Sequence, residues 1–189
     1  MTILRLVLLI QIIILASCGC PHHPYETLAS ETDKWTRLYN SSKASVFKNS
    51  STEYDTIATS FKDTTLIWSA SAECNFPCQS SIVKMQSRRF NFHLKVTTTY
   101  INRVAFDSCL SQSCYASLGE YNVDQNILMP GNNLDAKIDL NYSFHGQLIK
   151  VLELTCKPGC AASFSKIIYS REFGLIEIVD NQSTTWTLN

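Results

Sequence analysis

Beyond residue 53 the chain is dominated by alternation of apolar and polar side chains with a period of two. Phe90, Phe92, Leu94 and Val96 alternate with Asn91, His93, Lys95 and Thr97, which predicts a strand with one dry and one wet face. Residues 135–144 repeat the pattern with Ala136, Ile138, Leu140, Tyr142 and Phe144 as the apolar set. Further β-like stretches cover residues 54–61, 64–70, 82–85, 100–106, 147–155, 167–169, 175–179 and 184–188. Turn signals separate them at Arg88-Arg89, at residues 130–133, at His145-Gly146 and at residues 180–183. Many strands joined by short turns predict a mainly β fold: a curved antiparallel sheet as a meander, half-barrel or sandwich. One or two short helices complete the expectation. Ser30, with Glu31 and Asp33 behind it, offers a helix start. Trp35, Leu38 and Tyr39 then share one face, and residues 40–42 end the helix. Residues 47–52 look polar and turn-like.

Composition narrows the class further. Lys plus Arg and Asp plus Glu both total 16, so the chain is neutral and lacks a basic footprint for nucleic acid. Charged residues make up only 17% of the chain, a hydroxyl-rich mixture that suits wet strand faces rather than helical bundles. Four N-x-S sequons, at Asn40, Asn49, Asn141 and Asn181, are close to what this composition yields by chance.

The N-terminus carries a different signal. Arg5 precedes an apolar run from Leu6 to Leu15 that only Gln11 interrupts. That is the length of a signal-peptide core and well short of the roughly 20 residues that span a bilayer. Leu15-Ala16-Ser17-Cys18 resembles the lipobox of bacterial lipoproteins. The resemblance implies that Cys18 becomes the acylated first residue and that acyl chains anchor the protein to a membrane, with no metal or other cofactor. It divides the chain into a signal peptide (1–17), a tether with a short helix (18–50) and an antiparallel β domain (51–189). Gly19 stands where Asp marks inner-membrane retention in such lipoproteins, and no acidic export signal follows. Both point to the periplasmic face of the outer membrane. A plain secreted protein with a cleaved signal is the alternative.

The eight cysteines form four close pairs: Cys18/Cys20, Cys74/Cys78, Cys109/Cys114 and Cys156/Cys160. Export implies an oxidising compartment, so disulfides among Cys74, Cys78, Cys109, Cys114, Cys156 and Cys160 are expected. Lys157-Pro158-Gly159 predicts a hairpin tip stapled by Cys156 and Cys160, and Cys74 to Cys78 suggests a second stapled loop. Cross-pairing stays open. Zinc ligation or redox-active thiols are the competing readings, although no histidine adjoins the last three pairs and no C-x-x-C occurs. If Cys18 is acylated, one thiol lacks a partner, and Cys20 in the tether is the natural orphan.

Residues 169–176, Tyr-Ser-Arg-Glu-Phe-Gly-Leu-Ile, and the terminal Trp186-Thr187-Leu188 resemble the C-terminal end of small lipoproteins common in Bacteroidota. The resemblance implies a curved antiparallel sheet like that of periplasmic lipoprotein carriers, and it implies no activity. Gly174 there suits a bulge or a positive φ, with Phe173 and Leu175 in the core.

No hydrolase, metalloprotease, phosphate-binding or dinucleotide motif is present. His93 and His145 are isolated, and Asp135, Asp139 and Glu153 are scattered along wet strand faces, with nothing to pair them as acid and base. Phe90, Phe92, Tyr142, Phe144 and Trp186 fit a core better than a ligand cavity. The expectation is a membrane-tethered, non-enzymatic binding or structural domain of the cell envelope, with a lipid or protein ligand. A thiol-based redox or metal-binding envelope protein and a secreted disulfide-rich eukaryotic binding domain are the alternatives.

Overall fold

The computed structural model describes residues 27–41, 44–71, 74–87, 92–110, 113–160, 162 and 164–189. Cys18, Cys20, Phe90 and the whole signal segment lie outside them. Helix α1 (Ser30–Arg37) passes into a 3-10 turn (Leu38–Asn40). Twelve strands follow: β1 (Ala44–Asn49), β2 (Tyr54–Ser71), β3 (Cys74–Ser87), β4 (Phe92–Thr99), β5 (Arg103–Leu110), β6 (Ser113–Asn122), β7 (Ile127–Pro130), β8 (Leu134–Phe144), β9 (Gln147–Cys156), β10 (Phe164–Ser170), β11 (Gly174–Asp180) and β12 (Thr185–Leu188).

All the strands form one antiparallel sheet in the order β7-β6-β5-β4-β3-β2-β1-β12-β11-β10-β9-β8. The chain therefore runs as an up-and-down meander whose first and last strands pair, Phe47 opposite Leu188. The sheet curls until its two edges approach, with β8 in contact with β7 and β6. The expected curved antiparallel sheet is thus present as a nearly closed barrel, with a single short helix among the described residues.

The interior is filled by side chains. Phe47, Ile57, Val83, Leu94, Val96, Phe106, Leu152, Leu154, Ile167 and Trp186 form one buried cluster contributed by strands all around the sheet. Outward positions carry cross-strand ion pairs such as Lys95–Asp107 (2.8 Å) and Arg103–Glu120 (2.6 Å). Such partly exposed pairs are worth about 1 kcal/mol or less each, so apolar burial carries the stability. A second, smaller cluster covers part of the outer face. A register shift in β8 lets the β8–β9 hairpin pack Phe144 and Ile149 against Val151, Ile168 and Ile176.

Several sequence expectations shift here. Residues 47–52 are not all turn: β1 occupies 44–49, lies between β2 and β12, and buries Phe47 completely. The β domain therefore does not begin at residue 51, because the segment assigned to the tether supplies a strand and the helix that packs on the core. Residues 54–61 and 64–70 are one strand rather than two, since the ladder with β3 continues through Lys62-Asp63. Asp63 is held there by Ser81 Oγ at 2.6 Å and by Arg37 at 3.0 Å. Ser30 is the first helical residue and not the cap, which falls on Ala29.

Candidate functional site

Strand directions place α1, the turns after β4, β6, β8 and β10, and the tip of the β2–β3 hairpin at one end of the barrel. α1 caps this end because its one apolar face points inward. The Trp35 ring lies 5.1 Å from that of Tyr121 and stacks on Tyr169 at 6.2 Å with an interplanar angle of 15°. The Tyr169 hydroxyl donates to Trp35 O at 2.6 Å, and the Leu175 N–H donates to the Tyr39 hydroxyl at 2.8 Å. Thr32 and Thr36 add bonds to Asn102 (3.0 Å) and Thr98 (3.3 Å).

Beside the helix is a recess of about 360 Å3 with Trp35 and Tyr121 among its walls and Lys150, Arg171, Glu31 and Asp124 around it. Lys150 occupies an inward register position of β9, in step with Leu152 and Leu154. Its ammonium donates to the Tyr121 hydroxyl and to Asn126 Oδ1, and lies 4.7 Å from the Tyr121 ring centroid. Tyr121 in turn donates to Asn126 Oδ1 at 2.9 Å. Arg171 is occupied by Glu31 (2.7 Å) and Glu172 (2.9 Å). Lys34, first, and then Arg171 hold the exposed Glu31 carboxyl below its usual range. Among the described residues, Lys150 has no carboxylate partner. The recess thus offers an aromatic wall and one cation, Lys150, bonded only to neutral groups, with the carboxylates of Glu31, Asp124 and Glu172 and the guanidinium of Arg171 around it.

The sequence candidates fall elsewhere. Cys156 and Cys160 form a disulfide with their Cα atoms 5.5 Å apart, at the end of the barrel away from α1. Cys78, by contrast, is a free, buried thiol that donates to Leu66 O at 3.4 Å. The expected Cys74–Cys78 loop is not one, because both residues lie in the same extended strand β3. Four residues of strand separate their Cα atoms by about 13 Å, beyond the roughly 7 Å that a bridge tolerates. Burial pushes the Cys78 thiol up, away from the thiolate form that redox chemistry needs. Cys109 and Cys114 face each other in register across β5 and β6.

Among the described residues, no group of three or more His, Cys, Asp or Glu converges in a metal-binding arrangement. Asp135 pairs with Lys157 (2.6 Å) and Asp139 with Lys137 (3.4 Å), while Glu153 stands opposite Ile168. His93 is opposite Gln86, and the His145 ring lies 4.2 Å from that of Phe144 in a turn. Trp186 belongs to the main core, whereas Phe144 and Tyr142 belong to the outer cluster. Of the sequons, Asn49 is buried, and its side chain is bonded to Glu53 and Ser51.

The tyrosines give this end a pH dependence. Burial pushes up the Tyr39 and Tyr169 phenols, and Tyr142 is pushed up to about 12 by burial first and then by Glu177. An unfolded phenol titrates near pH 10. The protonated forms therefore contribute stability that is complete below about pH 10 and is lost as pH rises through 10 towards 12 and beyond. The denaturant midpoint should fall between pH 8 and pH 11, and Tyr142→Phe should lessen that fall. An unchanged midpoint would contradict the burial of these hydroxyls.

Comparison with family models, with curated proteins and with solved structures finds no match to this chain.

Proposed function

We propose that this chain is a membrane-anchored lipoprotein of the cell envelope, acylated at Cys18, whose β-barrel binds a lipid or protein ligand and performs no catalysis. The carrying observation is the convergence at one end of the barrel. The described chain starts there, with the Leu28 N–H donating to Gln79 Oε1 at 3.1 Å, and the recess holding Lys150 opens at the same end. Support for the anchor comes from the Leu-Ala-Ser-Cys segment behind a short apolar run. The recess supplies the binding side of the reading: an aromatic wall favours an apolar group, and the Lys150 ammonium favours an anionic one. Gly19, where Asp would mark inner-membrane retention, and the lack of an acidic signal after it support the periplasmic face of the outer membrane, where a lipid headgroup or an acidic side chain of a partner would meet both demands.

Cys18→Ser tests the anchor. In its native host the wild-type chain is expected in the membrane fraction after a high-salt wash, and the serine variant in the soluble fraction. Equal membrane retention of the two, with both folded, would overturn the anchor.

A further inference from the structure

Most of the charge around the recess is already neutralised. Arg171 binds both Glu31 and Glu172, and Glu31 also holds Lys34. Among the described residues two charges are left over, and they are opposite in sign. Lys150 bonds only to Tyr121 and Asn126, leaving an ammonium N–H for a ligand. Asp124 accepts a bond from Asn102 Nδ2 at 2.8 Å and pairs with no cation among the described residues. Both side chains line the recess, yet no ion pair joins them. Opposite charges left apart in one recess suit a ligand that carries both, an anionic group for Lys150 and a cationic one for Asp124. Trp35 and Tyr121 are only 3% and 1% exposed, so their rings offer no open cage for a quaternary ammonium. The cationic group is therefore one with N–H donors for the Asp124 carboxylate. A recess of about 360 Å3 holds a polar headgroup and excludes long acyl chains. Leu148, two residues before Lys150, and Ile127, next to Asn126, are 70% and 49% exposed. They put apolar surface beside the Lys150–Asn126 contact, where the start of such chains can lie.

The exit of the N-terminal chain sets the orientation. Leu28, bonded to Gln79, lies at the same end of the barrel as the recess. Ten residues separate it from Cys18, and even fully extended they span about 35 Å. An acyl anchor at Cys18 would hold this end within that distance of the bilayer. We propose that the recess takes the phosphoethanolamine headgroup of a lipid, with Lys150 on the phosphate, Asp124 on the primary ammonium and the helix-capped end of the barrel turned towards the membrane surface. This rests on the anchor and the binding role proposed above.

The test is titration of the Cys18→Ser chain with water-soluble headgroups, followed by NMR shifts of the amides of residues 121–126 and 150. Glycerophosphoethanolamine should bind about tenfold more tightly than glycerophosphoglycerol, which keeps the phosphodiester but lacks the ammonium. It should exceed glycerophosphocholine, whose ammonium has no N–H, by a similar factor. Asp124→Asn should erase the advantage over glycerophosphoglycerol and leave the binding of glycerophosphoglycerol itself unchanged. Asp124 is exposed, so this variant should keep the denaturant midpoint of its parent. Lys150→Met should abolish the binding of all three probes. Equal binding of glycerophosphoethanolamine and glycerophosphoglycerol would overturn the headgroup and leave the recess standing as a site for anions. Tighter binding of free alanine than of glycerophosphoethanolamine would overturn the lipid source. Amide shifts indifferent to every probe would overturn both the headgroup and the recess as the ligand site. The anchor is scored apart from these outcomes, by the membrane fractionation of Cys18→Ser.

Discussion

Gly174→Ala is expected to destabilise the fold by about 3 kcal/mol or more, measured by equilibrium denaturation. Two costs coincide at this position. Gly174 has φ +71°, a left-handed conformation that strains any residue with a Cβ by about 1–2 kcal/mol. The added carbon would also stand 2.0 Å from the Tyr39 hydroxyl oxygen, which is buried and already accepts the Leu175 N–H. Tyr39 cannot swing aside cheaply, since its ring is 3% exposed and belongs to the core. The same close approach ties the turn after β10 to the helix cap. A loss below about 1 kcal/mol would mean that the Tyr39 ring gives way and that the contact is loose.

The second large effect is expected at the helix. Trp35→Ala should cost about 3–5 kcal/mol, the range for truncating a buried aromatic. Trp35 is the main apolar anchor by which α1 holds the barrel end, through Tyr121 and Tyr169. Its loss leaves a void above those rings and removes a wall of the recess. Amide exchange across residues 30–40 should accelerate more than exchange in β9 or β10, because the strands keep their own ladder. Unchanged stability with unchanged exchange would show that the polar contacts of Thr32, Thr36 and Arg37 suffice to seat the helix.

Much of the sheet is legible in the sequence wherever one face is wet. β8 spans residues 134–144, close to the alternating stretch read at 135–144, and β4 matches the alternation about Leu94 and Val96. Legibility fails where a local signal is weak or misleading. β1 buries two of its six residues, and the apolar one, Phe47, follows an exposed Val46, so no clean alternation marks its inward face. Lys62-Asp63 and Asn75-Phe76-Pro77 resemble turns, yet pairing with the facing strand overrides both. The recess is harder still to see, because Trp35, Tyr121, Lys150 and Arg171 come from segments far apart in the chain. One local clue existed: Lys150 stands in step with the buried Leu152 and Leu154, where a leucine-like residue is expected. The cysteines mislead for a similar reason. Spacing brings Cys156 and Cys160 together across a turn, whereas the identical spacing in an extended strand keeps Cys74 and Cys78 apart.

The membrane anchor underlies both the binding role and the orientation proposed for the barrel, and intact-mass analysis of the native mature protein tests it most directly. The expected chain starts at residue 18 and carries the added mass of acyl groups on its terminal cysteine. A mature chain that starts at any other residue, or that starts at Cys18 with an unmodified thiol, would contradict the anchor and the facing of the helix-capped end towards the bilayer.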